Sequence, residues 1–183
     1  MKRIVIISGS PGVGKSTIAK LLAENSPYER AMHFHTDDHY GYILKGYIEP
    51  WLPEASKQNT TIIEAFVASI KELAIGGYEV IVDGVIGPWF LEPWLELLHD
   101  DIDVRYVILR PELEMTIFRN ANREKQIMHD AIVGMWKEFV DLDEYESYAL
   151  DTTSQSPEET ATLIRRMLEE GHFRMKPSAG QYE

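Results

Sequence analysis

Gly9-Ser10-Pro11-Gly12-Val13-Gly14-Lys15-Ser16-Thr17 satisfies the pattern G-x-x-x-x-G-K-[ST], and it lies between an aliphatic run and a segment of helical character. The glycines open backbone angles and close approaches that a side chain would block, so successive amides can point at phosphate oxygens. The following helix adds unpaired amides and the positive end of its dipole. In such a nest Lys15 reaches the β- and γ-phosphates and the Ser16 hydroxyl is placed to coordinate magnesium. The bland alternative is a glycine-rich turn that binds nothing; the flanking strand and helix argue against it.

Working outward, residues 3–8 form an aliphatic run without alternation, as a strand covered on both faces requires. Comparable runs occur at 31–36, 78–83 and 104–109, with a weaker one at 147–151, which predicts five strands. Between them, 16–24 and 60–75 have helical periodicity, the second through Ile62, Ile63, Phe66, Val67, Ile70 and Leu73, and Gly76-Gly77 ends it. Pro111 announces another helix past the fourth strand, and Ser156-Pro157-Glu158-Glu159 combines a capping box with proline at the first helical position. Alternating strands and helices with right-handed crossovers predict an α/β three-layer sandwich around a parallel sheet.

The 183 residues and 44% apolar composition suit one domain with a proper core. A four-residue aliphatic run before Ser8 is far short of a signal peptide or a membrane span, and the absence of cysteine rules out a disulfide framework; the expectation is a cytoplasmic protein without membrane partners. A formal net charge of −12 opposes polynucleotide binding, which depends on neutralising phosphates with Lys and Arg. The expected partner is a small-molecule acceptor, with the chain a monomer or homodimer.

With the phosphate loop and the strand–helix alternation in hand, the chain resembles the small P-loop kinases, the group of shikimate kinase, gluconate kinase and chloramphenicol phosphotransferase. The resemblance implies a P-loop NTPase fold with a five-stranded parallel sheet of order 2-3-1-4-5 and a small helical lid. It also implies transfer of the γ-phosphoryl group of ATP, with Mg2+, to a small acceptor. On this reading residues 1–173 form a single kinase domain with its lid at about 112–140, and 174–183 a loose tail.

Ligands of open parallel sheets gather at the carboxyl ends of the strands, and here every such end carries polar residues: the loop Gly9 to Thr17, Thr36-Asp37-Asp38, Asp83-Gly84, Arg110-Pro111 and Asp151-Thr152-Thr153. Transfer to a hydroxyl needs a carboxylate beside the acceptor to orient it and take its proton, which selects Asp37 ahead of Asp38; the alternative is a pair that caps the next segment. In the resembled shikimate kinase pattern an Asp-x-Asp pair follows strand two, and His35 stands where its first aspartate would be. Asp83 resembles the acidic residue that holds magnesium in many P-loop proteins, or else it is a turn-forming Asp-Gly pair. Arg119 and Arg123, four apart on a predicted helix, share a face and could clamp a phosphate, Arg119 being the preferred candidate; otherwise they are solvated surface residues. By position alone, the stretch Thr152 to Ser156, with Thr152 and Thr153 as its candidate contacts, matches the family's adenine-binding loop. The catalytic set is therefore Lys15, Asp37, Arg119 and Arg123, and the metal set Ser16 and Asp83.

His33, His35, Asp37, Asp38 and His39 suggest a transition-metal site, but the two strand histidines can hydrogen-bond within the core and no distant ligand set matches them. No arginine occurs between Met32 and Val104, the stretch expected to supply most of the acceptor pocket. Enzymes that take phosphorylated or carboxylated acceptors usually meet them with arginine forks. Tyr40, Tyr42, Tyr47, Trp51, Trp89, Phe90 and Trp94 could instead wall a pocket for a neutral or weakly charged sugar, nucleoside or antibiotic, or simply pack helices together; Lys45, Lys57 and Lys71 leave an acid such as gluconate open. Two other functions fit the loop: an ATP-binding regulator with little turnover, and an ATP hydrolase.

Overall fold

Ile4, Val5, Ile6 and Ile7 are all completely buried because β1 (Arg3–Ser8) runs through the middle of a sheet covered on both faces. The computed structural model describes residues 2–123 and 126–176. Strand β1 pairs in parallel with β3 (Glu79–Asp83) on one side and β4 (Asp103–Leu109) on the other, while β2 (Ala31–His35) flanks β3 and the two-residue β5 (Ala149–Leu150) flanks β4. The order is β2-β3-β1-β4-β5, as the family resemblance implied.

Alternate residues of each strand point to opposite faces, and two cores result. Ile4, Ile6, Val80, Val82, Val104 and Tyr106 pack with Phe66, Ile70 and Trp94, from α2 (Ser56–Ile75) and α3 (Glu92–Leu95). On the other face Val5, Ile7, Ile81, Val107 and Leu109 pack with Ile18 and Leu22 of α1 (Lys15–Glu24) and Ile164 and Leu168 of α6 (Pro157–Glu169). The periodic stripe read in the sequence places Ile63, Phe66, Val67 and Ile70 of α2 inward, and the helix starts four residues before the expected Thr60. Its end is closed by Gly77 at φ 92°, beside which the Gly77 and Tyr78 amides reach back to the carbonyls of Ala74 and Leu73.

Three expectations change. Strand β2 stops at His35, because Thr36 opens a 3-10 helix, Thr36–Tyr42, that carries both aspartates. Strand β5 shrinks because Asp143–Tyr148 coils into another 3-10 helix. The shortened β5 leaves the start of β4 without a neighbour on the side away from β1, and the expected tail fills the gap: Arg174 bridges antiparallel to Arg105, the Met175 amide donates to the Val104 carbonyl at 2.9 Å, and Met175 is buried. The chain is thus docked at Arg174 and Met175, while 177–183 lie outside the described residues. In the expected lid region, α4 (Leu113–Ala121) and α5 (His129–Lys137) pack together, and Asn120 straps Ile127 through both its amide and its carbonyl. Among the described residues no helix is long and apolar enough to cross a membrane.

Candidate active site

The loop between β1 and α1 holds Gly9, Gly12 and Gly14 at φ 133°, 90° and 99°, angles that side chains disfavour. A Cβ on Gly9 would run into the Leu109 carbonyl, so the loop lies directly on the end of β4. Its backbone from Pro11 onward, with Lys15 to Ile18 of α1, forms one wall of a cavity of about 490 Å³. His35 and Asp37 from the end of β2 and Val85 from the end of β3 line another part. Arg119, Arg123 and Ile127 close it from the lid side, and Gln155, Pro157 and Thr160 from the start of α6. One cavity therefore gathers residues from the ends of three strands and from the lid, as a parallel sheet dictates.

Lys15 is buried, and its Nζ donates to the Ser10 carbonyl at 2.9 Å across the loop. Burial lowers its pKa to about 8, and Arg123 pushes in the same direction, while Asp83 and Asp37 oppose the shift. An anion in the nest would restore the favourable surroundings that this ammonium lacks.

Asp83, at the end of β3, is wholly buried. Its Oδ2 accepts from the Ser16 hydroxyl at 2.7 Å, and His33 Nε2 meets its Oδ1 at 2.5 Å. His35 Nδ1 lies 3.1 Å from Oδ2, and the other nitrogen of that ring faces Asp37 Oδ2 at 3.5 Å. Burial by itself would raise the Asp83 pKa, but the bonds from His33, His35 and Ser16 together hold it well below the usual carboxylate range. Conversely the Asp83 bond, helped by the charge of Asp37, lifts His35 to about 9 against its own desolvation.

The histidine cluster is thereby accounted for. Among the described residues no three His, Cys, Asp or Glu side chains converge as a metal cage, and His33 and His35 are spent on one carboxylate. His39 stacks edge-on against Phe66, centroids 4.8 Å apart. Ser16 and Asp83 do suit magnesium: Ser16 lines the anion nest and its hydroxyl is bonded to the buried Asp83 carboxylate behind it, and that ion normally takes only one or two protein oxygens plus phosphates and water.

The two arginines both reach the cavity, by different means from those expected. Helix α4 ends at Ala121, so Arg123 follows it in the next turn. The Arg119 guanidinium donates to the carbonyls of Val13, Thr152 and Gln155 at 3.1, 2.7 and 3.3 Å, tying the phosphate loop to the β5–α6 loop. Arg123 is the arginine whose charge is felt at Lys15. Thr152 and Thr153 do not line the cavity. Thr152 is buried under Arg119, and the Thr153 hydroxyl bonds to Asp151 and to the Glu112 amide. Within the expected stretch 152–156 it is Gln155 that lines the cavity, and Pro157 and Thr160, which the positional transfer missed, join it where the capped start of α6 turns toward the cavity. Of the expected aromatic wall, Trp94 belongs to the core, whereas Tyr42, Tyr47, Trp51 and Trp89 are exposed.

The profile of the chloramphenicol phosphotransferase-like protein family matches residues 2–169. The chain belongs to that family. Like its other members it carries the small P-loop kinase architecture. A curated putative adenylate kinase of Thermococcus gammatolerans is 32% identical over 183 residues, covering 92% of this chain and 86% of that protein. A cytidylate kinase of Sulfurisphaera tokodaii is 29% identical over 132 residues, covering 66% of this chain and 62% of its own length. Among solved structures, the tunicamycin resistance protein of Deinococcus radiodurans superposes with a TM-score of 0.68 at 16% identity, over 97% of this chain and 100% of that one. The shikimate kinase of Acinetobacter baumannii in complex with shikimate superposes with a TM-score of 0.56 at 19% identity, over 93% and 94%. At these identities the structural likenesses establish a shared fold.

Proposed function

We propose that this chain transfers the γ-phosphoryl group of ATP to a hydroxyl of a small neutral or weakly charged molecule. The observation that carries the reading is the convergence, on one cavity, of the phosphate loop, Ser16 and Asp37, with Asp83 buried behind Ser16 and bonded to its hydroxyl. Nucleotide binding alone has no use for a carboxylate at the end of β2, whereas transfer to a hydroxyl does. Asp37 orients the acceptor and takes its proton as the hydroxyl oxygen bonds to phosphorus. Lys15 and Arg123 balance charge on the transferred group, and Arg119 fixes the loop that shapes the nucleotide side. Magnesium, held by Ser16 and Asp83, would neutralise the β- and γ-phosphate oxygens.

The two nucleotide-kinase relatives favour a second reading, in which the acceptor is a nucleoside monophosphate. Such an acceptor brings a dianionic phosphate that planar arginine forks normally meet. Residues 32–104 contain no arginine; Arg30 just before them is stacked over Tyr78, and Arg110 just past β4 is paired with Glu146. The acceptor side is thus poor in arginine, with Lys45 and Lys57 as cations and Lys71 paired to Asp100, which supports the neutral or weakly charged acceptor. ADP release measured with magnesium and ATP, against a panel of hydroxylated compounds and of nucleoside monophosphates, separates the readings. Release that depends on a neutral hydroxylated compound supports the first, and release that depends on a monophosphate the second. Acceptor-independent release would make the chain a hydrolase, and tight ATP binding without release would make it a regulator.

A further inference from the structure

Asp83 presents a problem that the phosphate loop does not solve. It is wholly buried at the end of β3, and its usefulness to magnesium depends on its staying ionised and pointing one way. A carboxylate accepts about four hydrogen bonds, and the Ser16 hydroxyl provides only one of them here. Two of the others come from β2. Because β2 and β3 pair in parallel with His33 opposite Ile81 and His35 opposite Asp83, two histidines spaced by two lie on one face, flanking the same side chain.

They use different atoms. His33 applies Nε2 to Oδ1 at 2.5 Å, and His35 holds Nδ1 3.1 Å from Oδ2 and 3.3 Å from the Asp83 carbonyl, so the carboxylate is flanked at both oxygens and cannot rotate without losing a partner. Gly84 reinforces the approach, since a side chain there would collide with Thr36 and force the strand ends apart.

We propose that His33 and His35 form a clasp that positions Asp83 for magnesium, an inference that rests on the kinase reading of the site. In this arrangement β2 contributes to metal binding without supplying a ligand. Partners that hydrogen-bond a metal-ligating carboxylate typically matter by about 10- to 100-fold in metal affinity.

The test is the magnesium dependence of ADP binding, measured by calorimetry as the ratio of the dissociation constants in EDTA and in excess Mg2+. His33→Ala and His35→Ala should each reduce that ratio by about tenfold, and His33→Ala, at a residue outside the cavity lining, should do so with ADP affinity in EDTA unchanged. Atom-matched amides should rescue it. His33→Gln keeps a donor where Nε2 was and His35→Asn keeps one where Nδ1 was, so both should hold the ratio within about threefold of wild type, whereas the crossed variants His33→Asn and His35→Gln should not. Should the alanine variants fail to fold, matched against crossed amides still decides the matter. Equal ratios in wild type, alanine and crossed variants would overturn the clasp, as would a change in melting temperature with no change in the ratio. Wild-type protein that binds no ADP, or binds it without regard to magnesium, would instead sink the kinase reading itself.

Discussion

Asp37 and Lys15 share the cavity but are assigned different tasks, and single substitutions should separate them. Lys15→Ala should abolish turnover and weaken ATP binding, because the ammonium meets the phosphates. Asp37→Asn should abolish turnover and leave ATP affinity nearly intact, as calorimetry beside a coupled ADP assay would reveal; full activity in Asp37→Asn would remove it as the base. The arginines divide in the same way. Arg119→Ala should lower the melting temperature and loosen nucleotide binding, because three carbonyls on two loops lose their common donor. Arg123→Ala should instead leave ADP affinity within about threefold and cut turnover by about 100-fold, the scale of one charge-stabilising donor. Part of the geometry was legible in the residues: Lys15, Ser16 and Asp37, chosen for their chemistry, line one cavity, and Asp83 lies buried behind Ser16, bonded to its hydroxyl. Thr152 and Thr153 were chosen by position and do not line that cavity, since a family register carries no information about which hydroxyls are already used.

Helix α6 shows how far local chemistry reaches. Its capping box was readable from four residues, and both bonds form: Ser156 Oγ takes the Glu159 amide at 3.2 Å, and the Glu159 carboxylate takes the Ser156 amide at 2.8 Å. Ser156→Ala should cost about 1 kcal/mol, visible as a lower midpoint in urea unfolding. By contrast α3 and the 3-10 helices were not foreseen. Thr36–Tyr42 contains glycine, two aspartates and two tyrosines, a composition without helical propensity, and it is shaped by the β2 end and α2 packed against it. At the opposite end of the sheet, where β1 and β4 begin, Arg105 and Arg3 contact the Asp103 carboxylate at 2.8 and 2.9 Å. Burial alone would raise the Asp103 pKa, but the two arginines hold it below its ordinary value. A depressed carboxylate stabilises the fold above its unfolded pKa, and that contribution is lost as pH falls through the folded value. Acid unfolding of Asp103→Asn should therefore have a shallower limb below about pH 4 than wild type; coincident curves would refute the linkage.

At the scale of the whole molecule, the sheet order could not be deduced from periodicity alone, because strand–helix alternation fixes the crossover hand but not which strand lies beside which. It came from the resemblance that the phosphate loop anchors, and the structure has the implied order, β2-β3-β1-β4-β5. The acceptor is the least legible feature for a related reason: on the proposed reading the parts common to the fold handle the nucleotide, while in the stretch 32–104 expected to meet the acceptor, exposed tyrosine and tryptophan side chains can serve packing, binding or neither. A chain of net charge −12 that concentrates Lys15, Arg119 and Arg123 on one cavity is built to attract a single compact polyanion there. The most direct measurement is phosphorus NMR of folded protein with Mg2+, ATP and a mixture of neutral hydroxylated compounds. The account predicts ADP together with a new phosphate-ester resonance, both absent with Asp37→Asn. ADP accompanied only by inorganic phosphate, or a phosphoanhydride formed when a nucleoside monophosphate is added, would contradict it.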